Sequence, residues 1–278
     1  MPLQPELLDI NVHNLNAVPC CGIQNPAHPG LASKRCWLQE HFELGLKARS
    51  LIDVDGKPCG YIEYLPGEYA WRGIDARGYM FIHCIWNHSK RNRSKGWASA
   101  MVEACVSDAK KAGMLGVAVT TRKGPWMAGS ALFESNGFQL VDTAPPDYEI
   151  WVRKFKARSA NPMFKKGFGI KAVRLKDELT IIHSPQCPYI AKFTAEIVQT
   201  AREEYGIAPR IIELNSYRDA QDAPTPYAVF SILSNGKVLA DHQISRTRFR
   251  NIMRTMLAKA RLNRRELSYG LKTKRSPL

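Results

Sequence analysis

Residues 80 to 138 constrain the fold more than any other stretch of this chain. An apolar run, Met80 to Trp86, leads into a basic turn closing on Arg93, Ser94, Lys95, Gly96, Trp97 and Ala98, and an amphipathic helix follows at once. A helix that starts where a strand ends turns its unpaired N–H groups and positive dipole end toward that strand end, which is an anion-binding geometry. Gly96 and Ala98 let the main chain come close to a bulky anion, while Arg93 supplies a planar fork and Lys95 a mobile point charge. Taken alone, such a turn is as readily a solvated basic loop. The downstream sequence argues for the anion cradle.

The helix, about Ala98 to Ala112, places Met101, Val102, Cys105, Val106 and Ala109 on one stripe. Leu115 to Thr120 then reads as a buried parallel strand, Gly124-Pro125 breaks the chain, and a second helix is expected over Met127 to Asn136, closed by Gly137. This order resembles the GNAT acetyltransferase superfamily, whose pyrophosphate-loop pattern (Gln or Arg, two residues, Gly, any, Gly or Ala) is met by Arg93, Gly96 and Ala98. The superfamily's later signature, a helix ending in Leu-Tyr followed by Gly-Phe, is matched by Leu132 to Phe138, with Phe133 in place of the tyrosine. The resemblance covers roughly residues 1 to 155.

That resemblance implies a mixed sheet flanked by helices and acetyl-CoA as co-substrate. Its binding residues would be Arg93, Ser94, Lys95, Gly96, Trp97, Ala98 and Asn136, with Cys84, Ile85 and Trp86 beside the thioester, where pantetheine pairs with exposed main chain. Direct attack by an amine then calls for an oxyanion donor, a base and a means of protonating sulfur. Glu63 and Glu68 are the first expectations for the base and His83 the third. Phe133 cannot protonate sulfur, which leaves Tyr148 or water. Tyr64, Tyr69 and Trp71 either line the acceptor pocket or fill the core. The first strand and helices are expected within Val18 to Gly45, with Trp37, Leu38, Phe42 and Leu44 turned inward.

The chain of 278 residues is long enough for two cores. The basic stretch 156–178, with Asn161-Pro162, Gly167 and Gly169, reads as a linker, followed by a second unit over 179–262 and a basic tail over 263–278. The second unit reads strand (179–183), helix (from Ile190), strand (210–214), then two strands around Asn235-Gly236 and a final helix, about Thr247 to Ala260. This is similar to a small thioredoxin-like domain. Cys187-Pro188-Tyr189 resembles a glutaredoxin site, and Thr225-Pro226 sits where that fold usually has a cis-proline. The partner cysteine is missing, since Ile190 follows the tyrosine and position 184 is serine. Cys187, at a helix N-terminus, is expected to have a lowered pKa and stands as a monothiol candidate. Together the two units look like bacterial acetyltransferases that carry a YoaP-like C-terminal domain.

Seven cysteines at irregular spacing do not form a disulfide framework. A metal site built from Cys20, Cys21, His28, Cys36 and His41 is not expected, because adjacent cysteines make poor chelates. No apolar run approaches a membrane span and the first residues lack a signal-peptide pattern, so a cytoplasmic location without membrane association is expected. The net charge of +15 is concentrated near the end of the chain, from Arg246 to Arg275. A solvated helix face with a frayed tail is the first reading of it and nucleic acid the second, which no helix-turn-helix, zinc-finger or RNA-recognition signature supports. The acceptor amine and the oligomeric state are not legible. The rival to an N-acetyltransferase is a monothiol redox or thiol-binding protein whose first domain senses CoA.

Overall fold

The computed structural model describes residues 5–88 and 96–258. Arg93, Ser94 and Lys95 of the expected phosphate loop, and the basic tail, lie outside the described residues.

Seven strands form the main sheet: β1 (Glu6–Ile10), β2 (Lys47–Ile52), β3 (Pro58–Pro66), β5 (Met80–Asn87), β6 (Gly116–Thr121), β8 (Tyr148–Lys154) and β7 (Gln139–Ala144), in that spatial order. Every ladder is antiparallel except β5 with β6. A parallel pair needs a crossover, and helix α2 (Trp97–Lys111) provides it. The alternation of side chains across the sheet is clean. Ile62, Tyr64, Met80, Ile82, Val117 and Val119 join Met101, Val102 and Cys105 of α2 in one core, whereas Tyr61, Leu65, Phe81 and Ala118 face the opposite core. Phe133 of the short helix α3 (Ala131–Ser135) is fully buried under α2, edge-to-face with Phe138.

The second core is shared. It includes Trp37 and Leu38 of helix α1 (Leu31–Phe42) and runs without a break into Ile181, Ile190 and Phe230 of the second unit. That unit has a four-stranded sheet in the order β11 (Arg210–Glu213), β10 (Thr180–His183), β12 (Phe230–Ser234), β13 (Lys237–Ala240). Only β10 and β11 are parallel, joined by helix α5 (Tyr189–Tyr205). Between β11 and β12 lies α6 (Tyr217–Gln221), and the last helix, α7, runs from 246 and is described to 258. The β12–β13 turn uses Asn235 and Gly236, both at positive φ (46° and 78°), as a two-residue hairpin of this twist requires.

Several sequence expectations are corrected. The first strand is Glu6–Ile10, ahead of the stretch where it was expected, because its partner β2 starts only at Lys47. The second helix is five residues long, not ten: the chain at 122–130 is irregular, with Trp126 at φ 72°, outside helical space. The stretch read as a linker is built into the fold, since β9 (Met163–Phe164) pairs with β4 (Ile74–Asp75) and helix α4 (Phe168–Val173) follows. Pro145–Pro146 is the cis peptide among the described residues, so Thr225–Pro226 is trans. Within the basic segment, the Arg250 guanidinium forks onto Glu204 and Arg246 reaches Gln199, both on α5.

Candidate functional site

The site starts from a defect in β5. Against β3, Cys84 pairs with Glu63 and Ile82 with Tyr64, which leaves His83 as the extra residue of a β-bulge. Against β6, the ladder ends at Ile82–Val119. Bulges of this kind bend the strand and end pairing next to sites. From His83 onward β5 leaves β6, and its main chain on that side opens toward two voids.

The larger void, about 480 Å³, is walled by Cys84 to Asn87 of β5, by Trp126 to Ala128, by Cys21, and by Gln186 to Tyr189 of the second unit. Cys84, Ile85 and Trp86, expected from sequence beside the thioester, are therefore brought together with the Gln-Cys-Pro-Tyr run. Tyr189 donates from its hydroxyl to the Cys21 carbonyl at 3.1 Å, and its ring lies 5.9 Å from that of Trp126. Trp126 donates to the Gln243 carbonyl at 2.9 Å, and the Gln243 amide in turn donates to Cys187 Sγ at 3.4 Å. The smaller void, about 30 Å³, sits in the splay itself, between His83, Cys84 and Thr120. His83 Nδ1 and Thr120 Oγ1 are both buried without a hydrogen-bond partner. A void of that size holds about one water.

Behind the cavity wall lies a buried polar network. Lys34 Nζ donates to Glu63 Oε2 and to the Gln186 carbonyl, each at 2.6 Å, Tyr61 donates to Glu63 Oε2 at 2.6 Å, and Gln186 Nε2 donates to Glu63 Oε1 at 2.6 Å. Lys34 and Glu63 are fully buried. Burial is the largest single influence on Lys34 and lowers its pKa, but the Glu63 charge and hydrogen bond, with Cys21 and Cys20, together outweigh it and the net direction is upward. Arg72 donates to Gln186 Oε1 at 3.2 Å and to the His83 carbonyl at 3.1 Å. His83 Nε2 accepts from the Trp71 N–H at 2.8 Å, which leaves the ring proton on Nδ1. Burial first, then the charges of Arg72 and Lys34, holds the imidazole neutral, well below its usual pKa.

The carboxylates expected as bases are not poised as bases. Glu63 is opposite Cys84, at the right end of the strand, but both its oxygens accept hydrogen bonds and no solvent reaches it. Glu68 lies in the 3-10 turn Gly67–Tyr69, beyond the Pro66–Met80 pair. It is thus at the other end of β5, more than roughly 13 Å from Cys84 at ~3.4 Å per residue. Tyr148 lines neither void. Its hydroxyl donates to Asp241 Oδ2 at 2.9 Å and accepts from Arg122 at 2.8 Å, and burial followed by the Asp241 charge pushes its pKa up. Tyr64 and Trp71 fill the core, and Tyr69 packs on Tyr217. Cys187 overturns its expected lowering: burial raises the thiol more than the Tyr189 N–H lowers it. It lines both the cavity described above and a second one of about 640 Å³ between β10, β11 and α5.

The phosphate end of the site is partly described. Gly96 caps α2 at φ 76°, and no side chain caps that N-terminus. Trp97 and Ala98 open the first turn, and Asn136 Nδ2 donates to Ser99 Oγ at 3.0 Å, so the second signature run touches the start of α2. Cys20 and Cys21 are buried thiols, Cys36 is exposed, and His41 accepts from the Trp71 indole at 2.9 Å. Among the described residues no three such groups converge as metal ligands, and no helix is long and apolar enough to cross a membrane.

Lys34 and Gln186 were missed by sequence reasoning. The signal existed: Lys34 falls on the stripe Leu31, Lys34, Leu38, His41, the buried face of α1. A lysine there demands a buried carboxylate, and Glu63 stands in a strand, Tyr61 to Leu65, whose other members are all core.

Comparison with known proteins places the chain in context. A family model described as YoaP-like matches residues 210–251. An uncharacterized N-acetyltransferase of Bacillus subtilis (strain 168), YoaP, is 27% identical over 240 residues, which is 85% of this chain and 93% of that protein. In fold, the chain is similar to a GNAT family N-acetyltransferase from Escherichia coli solved with CoA (TM-score 0.40, 12% identity, 60% of this chain and 92% of that one). It is also similar to a ribosomal-protein-alanine N-acetyltransferase from Brucella melitensis (TM-score 0.40, 16% identity, 54% and 99%).

Proposed function

We propose that this homologue of YoaP is an acetyl-CoA-dependent N-acetyltransferase whose second, thioredoxin-like unit walls the acceptor side of the site. One observation carries the reading: β5 parts from β6 at the His83 bulge, beside a 15-residue helix that starts uncapped at left-handed Gly96. The opened strand edge offers main-chain N–H and C=O groups to a pantetheine arm, and the helix start offers N–H groups to a pyrophosphate. The residues present therefore fit acetyl-CoA, which when bound supplies the acetyl group as a thioester.

The chain's own residues have these roles. The main chain of Cys84 to Trp86 orients the thioester and presents N–H donors to its carbonyl oxygen. Gly96, Trp97 and Ala98, with Arg93, Ser94 and Lys95, hold the pyrophosphate, and Asn136 braces that turn through Ser99. His83 stays neutral and, with Thr120, orients a water in the small void. Glu63 acts at a distance from the chemistry: it anchors Gln186 and so sets the position of Cys187, Pro188 and Tyr189 in the cavity wall. The strand order of the second unit supports the thioredoxin-like reading, with Cys187 serving as wall rather than as half of a dithiol.

Calorimetric CoA binding, and CoA release with a panel of amines, test the proposal. Both are expected to be lost in Gly96→Glu and kept in Cys187→Ser. A second reading, a thiol-binding module that senses CoA, is favoured only by Cys187 lining two cavities. Ligand capture or turnover that disappears in Cys187→Ser alone would establish it.

A further inference from the structure

We infer that the acceptor is an amine already neutral in solution and carried on a flat apolar body, an arylamine or arylhydrazine, rather than an alkyl ammonium. This rests on the acetyl-transfer reading above and names the substrate class of the same site.

The cavity is walled mainly by rings and sulfur, with Trp86, Trp126, Tyr189, Met127 and Pro188 giving it flat apolar faces. Among the described residues no charged side chain lines it. Its polar members include Asn87, Gln186 and Tyr189; the Gln186 amide is committed at both ends, Nε2 to Glu63 and Oε1 to Arg72, and the Tyr189 hydroxyl donates to the Cys21 carbonyl. The acid nearest the cavity wall, Glu63, is sealed behind that amide and neutralised by Lys34. The segment 89–95, Ser-Lys-Arg-Asn-Arg-Ser-Lys, contains neither carboxylate nor imidazole, and His88 before it, with its ring 6.1 Å from that of Trp86, is not among the residues that line the cavity.

An alkyl ammonium entering such a cavity would shed water without meeting a carboxylate. Ring faces can offset part of that loss, but they do so by favouring the cation, which is the form that cannot attack. With a pKa near the ~10.4 of lysine, only about one molecule in 1,000 of such an amine is unprotonated at pH 7.4. An aryl nitrogen avoids both difficulties. Its lone pair forms the C–N bond to the acetyl carbon as the C–S bond breaks. One amine proton passes through solvent to the departing thiolate, and no oxidation or reduction occurs.

The titratable groups around the cavity agree. Cys84 faces it from β5, Cys21 from the preceding loop, and Cys187 and Tyr189 from the start of α5. Burial raises the Cys187 thiol; for Cys21 the Cys20 hydrogen bond lowers the pKa, but the Cys84 hydrogen bond and burial together raise it well above the usual thiol value; and burial pushes the Tyr189 phenol up to about 12. Behind the wall stand Lys34, Glu63, Arg72 and the neutral His83, with His28 edge-on to Tyr189.

Two amines of nearly equal shape test the inference, 4-methylaniline and benzylamine, given to the full chain with acetyl-CoA and followed by chromatographic CoA release. At pH 7.4, kcat/KM is expected to be at least about tenfold higher for 4-methylaniline. Its profile should be flat from about pH 6.5 to 9, while benzylamine gains about tenfold per unit. Without acetyl-CoA, 4-methylaniline should quench tryptophan fluorescence, and Trp126→Phe should reduce that quenching. Equal or faster turnover of benzylamine at pH 7.4, or CoA binding with transfer to neither amine, overturns the acceptor class alone. Absence of CoA binding overturns the acetyl-transfer reading with it.

Discussion

Gln186 donates from Nε2 to Glu63 Oε1 at 2.6 Å, and the two residues come from different units of the chain. Glu63 sits on β3 opposite Cys84, and Gln186 precedes Cys187. Since Lys34 also binds both the Glu63 carboxylate and the Gln186 carbonyl, a single buried charge pair joins the strand that borders the site to the loop that closes it.

Breaking that pair leaves a charge with no partner and no water. Lys34→Met or Glu63→Leu alone should cost about 3–5 kcal/mol, whereas replacing both should cost far less than the sum, because the apolar pair needs no counter-ion. Urea titration of the single and double variants measures the coupling. Additive losses would remove Lys34 and Glu63 from the role of an interface lock.

Gly30 tests the same interface through shape. A Cβ placed there would sit 1.8 Å from the Pro188 carbonyl oxygen, a main-chain atom with no rotamer to change. Gly30→Ala should therefore destabilise by about 1–3 kcal/mol and loosen the segment 184–189. Hydrogen exchange localises the effect: protection should fall around Pro188 while β1 and β2 keep theirs.

The strand, helix and strand at 80–87, 97–111 and 116–121 were legible because they rest on local rules, apolar periodicity and the needs of a helix N-terminus, whereas the two signature runs were read through the family resemblance. What failed was anything set by contacts distant in sequence. Glu63 reads as a strand residue facing solvent until α1 brings Lys34 over it, and the helix-start argument for a low Cys187 pKa holds only for an open thiol. Tyr148 looks free to donate until Asp241, 93 residues on, accepts its hydroxyl hydrogen bond. The short α3 failed for the same reason, since Trp126, at positive φ, donates to Gln243, 117 residues on, across the interface.

Among the groups with depressed pKa values, His83 and Asp241 contribute to the response to acid in separate ranges. Burial holds His83 well below 6.5, so the unfolded chain takes up a proton there that the native protein refuses, and stability falls as pH drops below about 6.5, by at most ~1.4 kcal/mol per unit. Asp241 follows lower down. Burial opposes its charge, but His242, Arg122 and Tyr148 bring its pKa to about 2. Its contribution, present above an unfolded value near 3.9, is lost between about pH 4 and 2. Thermal melts from pH 8 to 2 should show both declines. Asp241→Asn should flatten the lower one only, and His83→Gln the upper; an unchanged slope in either variant would contradict the assignment.

Gly96 separates backbone need from space. Nothing lies within 4 Å of a Cβ built there, so alanine meets no clash but must adopt φ near 76°, at about 1–2 kcal/mol. Gly96→Ala should thus weaken CoA binding modestly through a distorted turn, and Gly96→Glu should abolish it by placing a carboxylate where pyrophosphate would sit. Calorimetry orders the three proteins. Equal CoA affinity in all of them would mean that the start of α2 does not hold the phosphates.

Cys187 distinguishes a wall residue from a reactive thiol. Its thiol is raised by burial and accepts from Gln243, so at pH 7 it should be protonated and slow to alkylate, with a rate that climbs as pH passes the usual thiol range. Cys36, which is exposed, should react first. Mass mapping after brief iodoacetamide treatment at pH 7 and pH 9.5 reads both sites in one sample. If Cys187 were instead modified ahead of Cys36 at pH 7, the helix N-terminus would be prevailing over burial, and the thiol-dependent reading would gain the support that the buried geometry denies it.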